Sequence, residues 1–319
     1  MHHQNDSAER GGVRYGPVLP VAIQRLDSVI SGPFLFKTVS RPFMLPTICL
    51  LTVFFAADPQ ITEPTTDEHG FRVHRVTSEF QSGETLIRVL LPEKIESCEK
   101  LKTLYLLPVE ANSENRYGDG LIEAQKLDLA NKYRLICVAP TFSHLPWYAD
   151  HPIDKTIRQE AYFLKVVIPA IEKHYPAINE QSGRLLVGFS KSGYGAWSLL
   201  LRHPDQFSKA AAWDAPLMKT APDQFGMGSI YGTSENFAGY RLDQLLRERT
   251  ELLRAKSESQ PGVRLIHFGF DNFRDHHERA EALLNELKIP HSYIDGPKRP
   301  HTWHSGWLAE AVKLLVDGV

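Results

Sequence analysis

Residues 184–203 read RLLVGFSKSGYGAWSLLLRH. The first six form an apolar run of strand length, the last dozen have helical spacing, and Ser190 stands at the joint. A serine at a sharp strand-to-helix turn needs a strained backbone and small neighbours, which Gly188 and Gly193 supply. Such a turn lifts the hydroxyl above the end of a sheet and aims the first N–H groups of the helix at the same point. A serine that merely caps a helix would give the same pentapeptide. The choice between the two rests on the surrounding chain.

Outward from this turn, strand and helix patterns alternate. FRVHRVTSEF (71–80) and ETLIRVLLP (84–92) alternate in polarity across an SG turn and read as an antiparallel pair. KTLYLLP (102–108) and RLICVAP (134–140) are short buried strands separated by the helical stretch GLIEAQKLDLANKY (120–133). A long amphipathic helix follows over 157–176 and ends at Pro176. Beyond Ser190 come strand KAAAWDAP (209–216), helix 242–256, strand VRLIHFG (263–269), helix 273–288, strand HSYID (291–295) and a closing helix near 306–318. This β–α succession predicts an α/β fold: a mostly parallel central sheet with antiparallel N-terminal strands and helices on both faces.

Composition agrees with a globular enzyme-sized domain. Of 319 residues, 42% are apolar and 23% charged, and the net charge of −2 comes from interspersed signs. No basic face exists to attract a phosphate backbone, so nucleic acid is not an expected partner. Only Cys49, Cys98 and Cys137 occur, without a CxxC pair, which argues against a disulfide scaffold or a thiolate metal site and leaves Cys98 and Cys137 as a candidate pair. Residues 1–69 are expected to be a poorly ordered leader and 70–319 the catalytic domain. Within the leader, 42–57 (PFMLPTICLLTVFFAA) is apolar but short for a stable membrane span and is broken by Pro46. It resembles the apolar core of a signal peptide, so export to the periplasm or medium is expected, with a cytoplasmic location as the alternative.

A nucleophilic serine needs a base and an acid later in the chain. His301, in the polar loop GPKRPHTW before the last helix, is the expected base, and His304 is its rival. Asp271 is the carboxylate nearest the end of strand 263–269 and the first choice of acid. Asp214, ending strand 209–216 beside an apolar run, is the alternative, since an unpaired carboxylate there would be costly. Asp275 comes third. His267, His276 and His277 with Asp271 and Asp275 match no metalloprotease helix spacing, and no metal is expected.

Taken together, YLLPVE (105–110), PTFSHLPWYADHP (140–152), GFSKSGYGA (188–196) followed by LLLRHPDQF, and HTW (301–303) with Trp307 make residues 70 to 315 resemble the esterase D family of α/β-hydrolases. That family includes S-formylglutathione hydrolases, feruloyl and acetyl-xylan esterases and secreted mycolyltransferases. The resemblance implies ester hydrolysis through an acyl-enzyme on Ser190 with His301 as base and no cofactor. Three departures stand out. Ser192 replaces the second Gly of GxSxG, Asn272 stands where the family places its acid, and Pro108-Val109 replace a His-Gly pair. The resemblance maps the oxyanion donors to the backbone of Lys191 and of Val109 or Glu110. It places Trp147, Tyr148 and Asp150 beside the substrate, with plain packing of that loop as the alternative. The implied substrate is a small-molecule or carbohydrate-linked ester. Acyl transfer to an alcohol or sugar, and a non-catalytic binding module of the same fold, are the competing readings.

Overall fold

The computed structural model describes residues 58–259 and 263–317. The expected apolar segment 42–57 and Cys49 lie outside the described residues. Ten strands form one sheet: β1 (Gln60–Ile61), β2 (Thr65–Thr66), β3 (Arg72–Thr77), β4 (Glu84–Leu90), β5 (Lys102–Leu106), β6 (Leu135–Pro140), β7 (Arg184–Phe189), β8 (Lys209–Trp213), β9 (Leu265–Gly269) and β10 (His291–Asp295). Their order is β1-β3-β4-β6-β5-β7-β8-β9-β10, with β2 also on β3. From β6 to β10 every pairing is parallel, whereas β3, β4 and their neighbours are antiparallel. All eight strands expected from the sequence are present. The two extra ones lie upstream of residue 70, where Thr62 N–H and Oγ1 bond Arg75 and tie this stretch to β3.

Polarity explains the difference between strands. β4 alternates exposed and buried residues, as befits a sheet margin, while β6 and β7 are buried throughout, as strands covered by helices on both faces must be. Their side chains feed two cores. One face gathers Tyr105, Phe163, Leu186 and Trp197, and the other Phe189, Trp213, Phe268, Trp303 and Trp307. The helix predicted over 157–176 contains one wide turn at Phe163–Val167, where the N–H of Ile168 reaches back to the carbonyl of Phe163. Pro169, which cannot donate and clashes with a regular turn, lies immediately after it. Helix 120–133 is likewise broken, into Gly120–Lys126 and Leu129–Tyr133, by Asp128 at φ 53°. Cys137 is buried in β6 and Cys98 is exposed in a loop; both are free, so the candidate pair does not form. Among the described residues no helix is long and apolar enough to cross a membrane.

Candidate active site

Ser190 begins the helix Ser190–Arg202 directly after β7 and has φ 52°, a left-handed conformation that L residues adopt only under constraint. Packing supplies the constraint. A Cβ on Gly188 would lie 2.5 Å from the Ser192 carbonyl, so only glycine permits the close approach. Ser192, the departure from GxSxG, is fully buried, and its Oγ accepts the Phe189 N–H at 3.1 Å and donates to the Phe189 carbonyl at 2.9 Å. The hydroxymethyl group that replaces glycine therefore pins the turn from inside.

His301 sits in the loop after β10 with Nδ1 2.5 Å from Asp214 Oδ2. Asp214 follows β8, is completely buried, and has φ 40°. Oδ2 also accepts from the Asn272 side-chain amide at 3.0 Å, and Oδ1 accepts the Phe273 N–H at 3.1 Å. The carboxylate beside His301 is thus Asp214. Asp271, the first choice, is turned outward onto Lys298 at 2.9 Å, and Asp275 pairs with Arg279 at 3.1 Å on its own helix. The physical reason is the direction of the chain after β9. Asp271 has φ 47° and opens a short 3-10 turn, which directs Asn272 rather than a carboxylate inward. His304 faces Glu123 at 2.7 Å. Phe189 and Tyr117 hold the His301 ring edge-on, with centroids 5.1 and 5.5 Å away. With Nδ1 engaged, Nε2 is the nitrogen left for the cavity.

Ser190 and His301 line one cavity of about 380 Å³, together with Tyr117, Lys191, Pro216, Phe225, Asn272 and Phe273. None of Trp147, Tyr148 and Asp150 is among its walls. Trp147 and Tyr148 have no exposed surface, so their expected contact with substrate is corrected to packing and support. The Trp147 indole donates to the Phe225 carbonyl at 3.1 Å and so holds a wall residue, and the Tyr148 hydroxyl donates to the Pro108 carbonyl at 2.6 Å. Asp150 is occupied by Arg158 and by the Ala161 N–H. Val109 and Glu110 line a separate small cleft. The Glu110 carboxylate pairs with Arg116 at 3.3 Å and accepts the Tyr117 N–H at 3.3 Å, which ties down the loop carrying the Tyr117 wall. Burial lowers the Lys191 ammonium below its usual range, opposed by Glu110. The walls Tyr117, Pro216, Phe225 and Phe273 were missed in the sequence, because they come from four loops that carry no motif.

One cluster has the composition of a metal site. Ligand atoms of His267, Glu281 and His291 lie within 4.8 Å of one another. Hydrogen bonding argues against it. The Ala215 N–H donates to His277 Nε2 at 2.9 Å, so the His277 proton resides on Nδ1 and is donated to His267 Nδ1 at 3.1 Å. That leaves the His267 proton on Nε2, where a metal would need a lone pair.

Residues 78–267 match the family model Esterase, described as "Putative esterase". The chain belongs to this esterase family. A curated relative, Esterase Rv1288 of Mycobacterium tuberculosis, is 25% identical over 122 residues, which are 33% of this chain and 26% of the relative. The chain therefore spans about a quarter of the length of the curated relatives it matches. Three solved structures share the fold. The fluorophosphonate-binding serine hydrolase FphF of Staphylococcus aureus has a TM-score of 0.62 at 18% identity, over 80% of this chain and 99% of that one. An S-formylglutathione hydrolase from Agrobacterium tumefaciens has a TM-score of 0.62 at 15% identity, over 81% and 99%. The ferulic acid esterase AmCE1/Fae1A of Anaeromyces mucronatus has a TM-score of 0.53 at 16% identity, over 80% and 90%. The esterase-family chain thus has the α/β-hydrolase fold.

Proposed function

We propose that this chain hydrolyses carboxylic esters through an acyl-enzyme on Ser190, with His301 as base and Asp214 as the orienting acid. The observation that carries this reading is the 2.5 Å contact between His301 Nδ1 and the buried Asp214, in a residue whose ring walls the cavity that Ser190 enters. The carboxylate fixes the tautomer with the proton on Nδ1, so Nε2 accepts the Ser190 proton as Oγ attacks the ester carbonyl. The oxyanion would form against the N–H of Lys191, at the start of the helix, and against the backbone near Val109 and Glu110 after β5, the strand beside β7. His301 then returns the proton to the leaving alcohol, and water attacks the acyl-enzyme by the same base.

The aromatic and proline walls favour an apolar acyl or alcohol group, and the family resemblance favours a small or carbohydrate-linked ester. The apolar run at 42–57 supports export as the setting of the reaction. Incubation of the folded chain with a fluorescent fluorophosphonate and hydrolysis of p-nitrophenyl acetate test the proposal. Labelling at Ser190 and loss of both signals in Ser190→Ala are expected. Unlabelled wild-type protein, or hydrolysis that survives Ser190→Ala, overturns it.

A further inference from the structure

The adjacent histidines His276 and His277 have no part in the proposed chemistry, yet both face the turn that carries Asp214. They lie in the first turns of the helix Arg274–Glu286. His277 Nε2 accepts the N–H of Ala215, the residue after the acid, at 2.9 Å, and His276 Nδ1 accepts the N–H of Met218 at 3.0 Å. Between those two anchors lies Pro216, a wall of the Ser190 cavity. The turn is also pressed against the elbow helix, since a Cβ on Gly193 would come 2.8 Å from the Ala215 Cβ.

We infer that His276 and His277 are positioning residues, a two-point imidazole clamp that holds the backbone after β8 so that Asp214 meets His301. The inference rests on the triad reading above. Both rings act as acceptors and must therefore be neutral at those nitrogens. Burial enforces this, lowering His277 well below the usual imidazole range and His276 to about 4. The Ala215 N–H fixes the tautomer of His277, whose Nδ1–H is then donated to His267 Nδ1 at 3.1 Å. The same helix start supplies Asn272 and the Phe273 N–H to the carboxylate itself. The Asp214 side chain and the backbone that follows it are thus held by one contiguous stretch, the turn 271–273 and the helix it leads into.

The test is a set of substitutions that separate shape from acceptor. His277→Leu and His276→Leu remove the acceptors, while His277→Gln and His276→Asn place an amide oxygen near Nε2 and Nδ1 respectively. Each Leu variant should lower kcat on p-nitrophenyl acetate by about ten- to a hundredfold, the scale of a small misplacement of a catalytic group, with KM within about twofold. The amide variants should recover most of the loss. In an Asp214→Asn background the Leu substitutions should have little further effect, because the clamp acts through that carboxylate. A full loss in that background, an unchanged kcat in the folded Leu variants, or no recovery by Gln and Asn overturns the clamp. If His277→Leu does not fold, the half-buried position 276 carries the same comparison. Hydrolysis that survives Ser190→Ala would instead strike the triad reading.

Discussion

Replacing Asp214 by Asn asks whether the carboxylate next to His301 sets its tautomer. The wild-type carboxylate accepts on both oxygens: Oδ1 from the Phe273 backbone N–H, Oδ2 from Asn272 and His301. An asparagine must present an NH2 on one of these sides. The Phe273 N–H cannot become an acceptor, whereas the Asn272 amide can turn over and the imidazole can move its proton. The NH2 therefore settles toward His301 and drives the proton from Nδ1 to Nε2, where the ring can no longer accept from Ser190. A tautomer fault of this kind lowers kcat by about 10⁴, or roughly 5 kcal/mol in the barrier. The control is Asp271→Asn. Its partner Lys298 has a side chain 77% exposed, and a surface pair of this sort contributes only about 0–1 kcal/mol, so activity should change by no more than a few-fold. Steady-state kinetics on p-nitrophenyl acetate, with thermal melts to show that both variants fold, give the readout. A folded Asp214→Asn variant that keeps more than about a tenth of the wild-type kcat, or an Asp271→Asn variant that falls as far, refutes the reasoning.

Ser192→Ala should leave the buried Phe189 N–H without its side-chain acceptor and lower stability by about 1–3 kcal/mol, read as a fall in Tm of several degrees by calorimetry. Acid should destabilise the fold through its buried histidines. Burial lowers His267 from 6.5 to about 4, so the unfolded chain binds the proton more tightly, and stability present above about pH 6.5 is lost as pH falls toward 4. For this fully buried ring the shift corresponds to on the order of 3 kcal/mol, and His277 acts in the same direction; urea melts at pH 7 and 4.5 measure it. Glu281, held to about 2 chiefly by the facing His267 imidazole, extends the loss below pH 4.5. His304→Ala removes a half-exposed partner of Glu123 and should leave kcat within about fivefold of wild type, whereas His301→Ala should abolish it.

The succession of strands along the chain and the strand-to-helix joint at Ser190 were legible because they depend on local patterns: continuous apolar runs for covered strands, alternation for β4, and small residues around the joint. The acid was harder. Asp214 and Asp271 both follow a strand in the same half of the sheet and both have positive φ, and the 3-10 turn over 271–273 decides which side chains point inward. The buried loop residues Trp147 and Tyr148 show the converse difficulty. Large aromatics near a site serve equally as wall or as foundation, and the distinction lies in packing partners such as Phe225 and Pro108 that are distant in the chain. β1 and β2 are two residues each, too short for any periodicity to register.

Asp214 and Asn272 lie just beyond the ends of neighbouring strands, so the loops leaving both strands converge on the one carboxylate that faces the imidazole. A search for relatives keyed to a fixed acid position in the chain would therefore discard chains of this kind, while one keyed to the oxygen facing the imidazole would keep them.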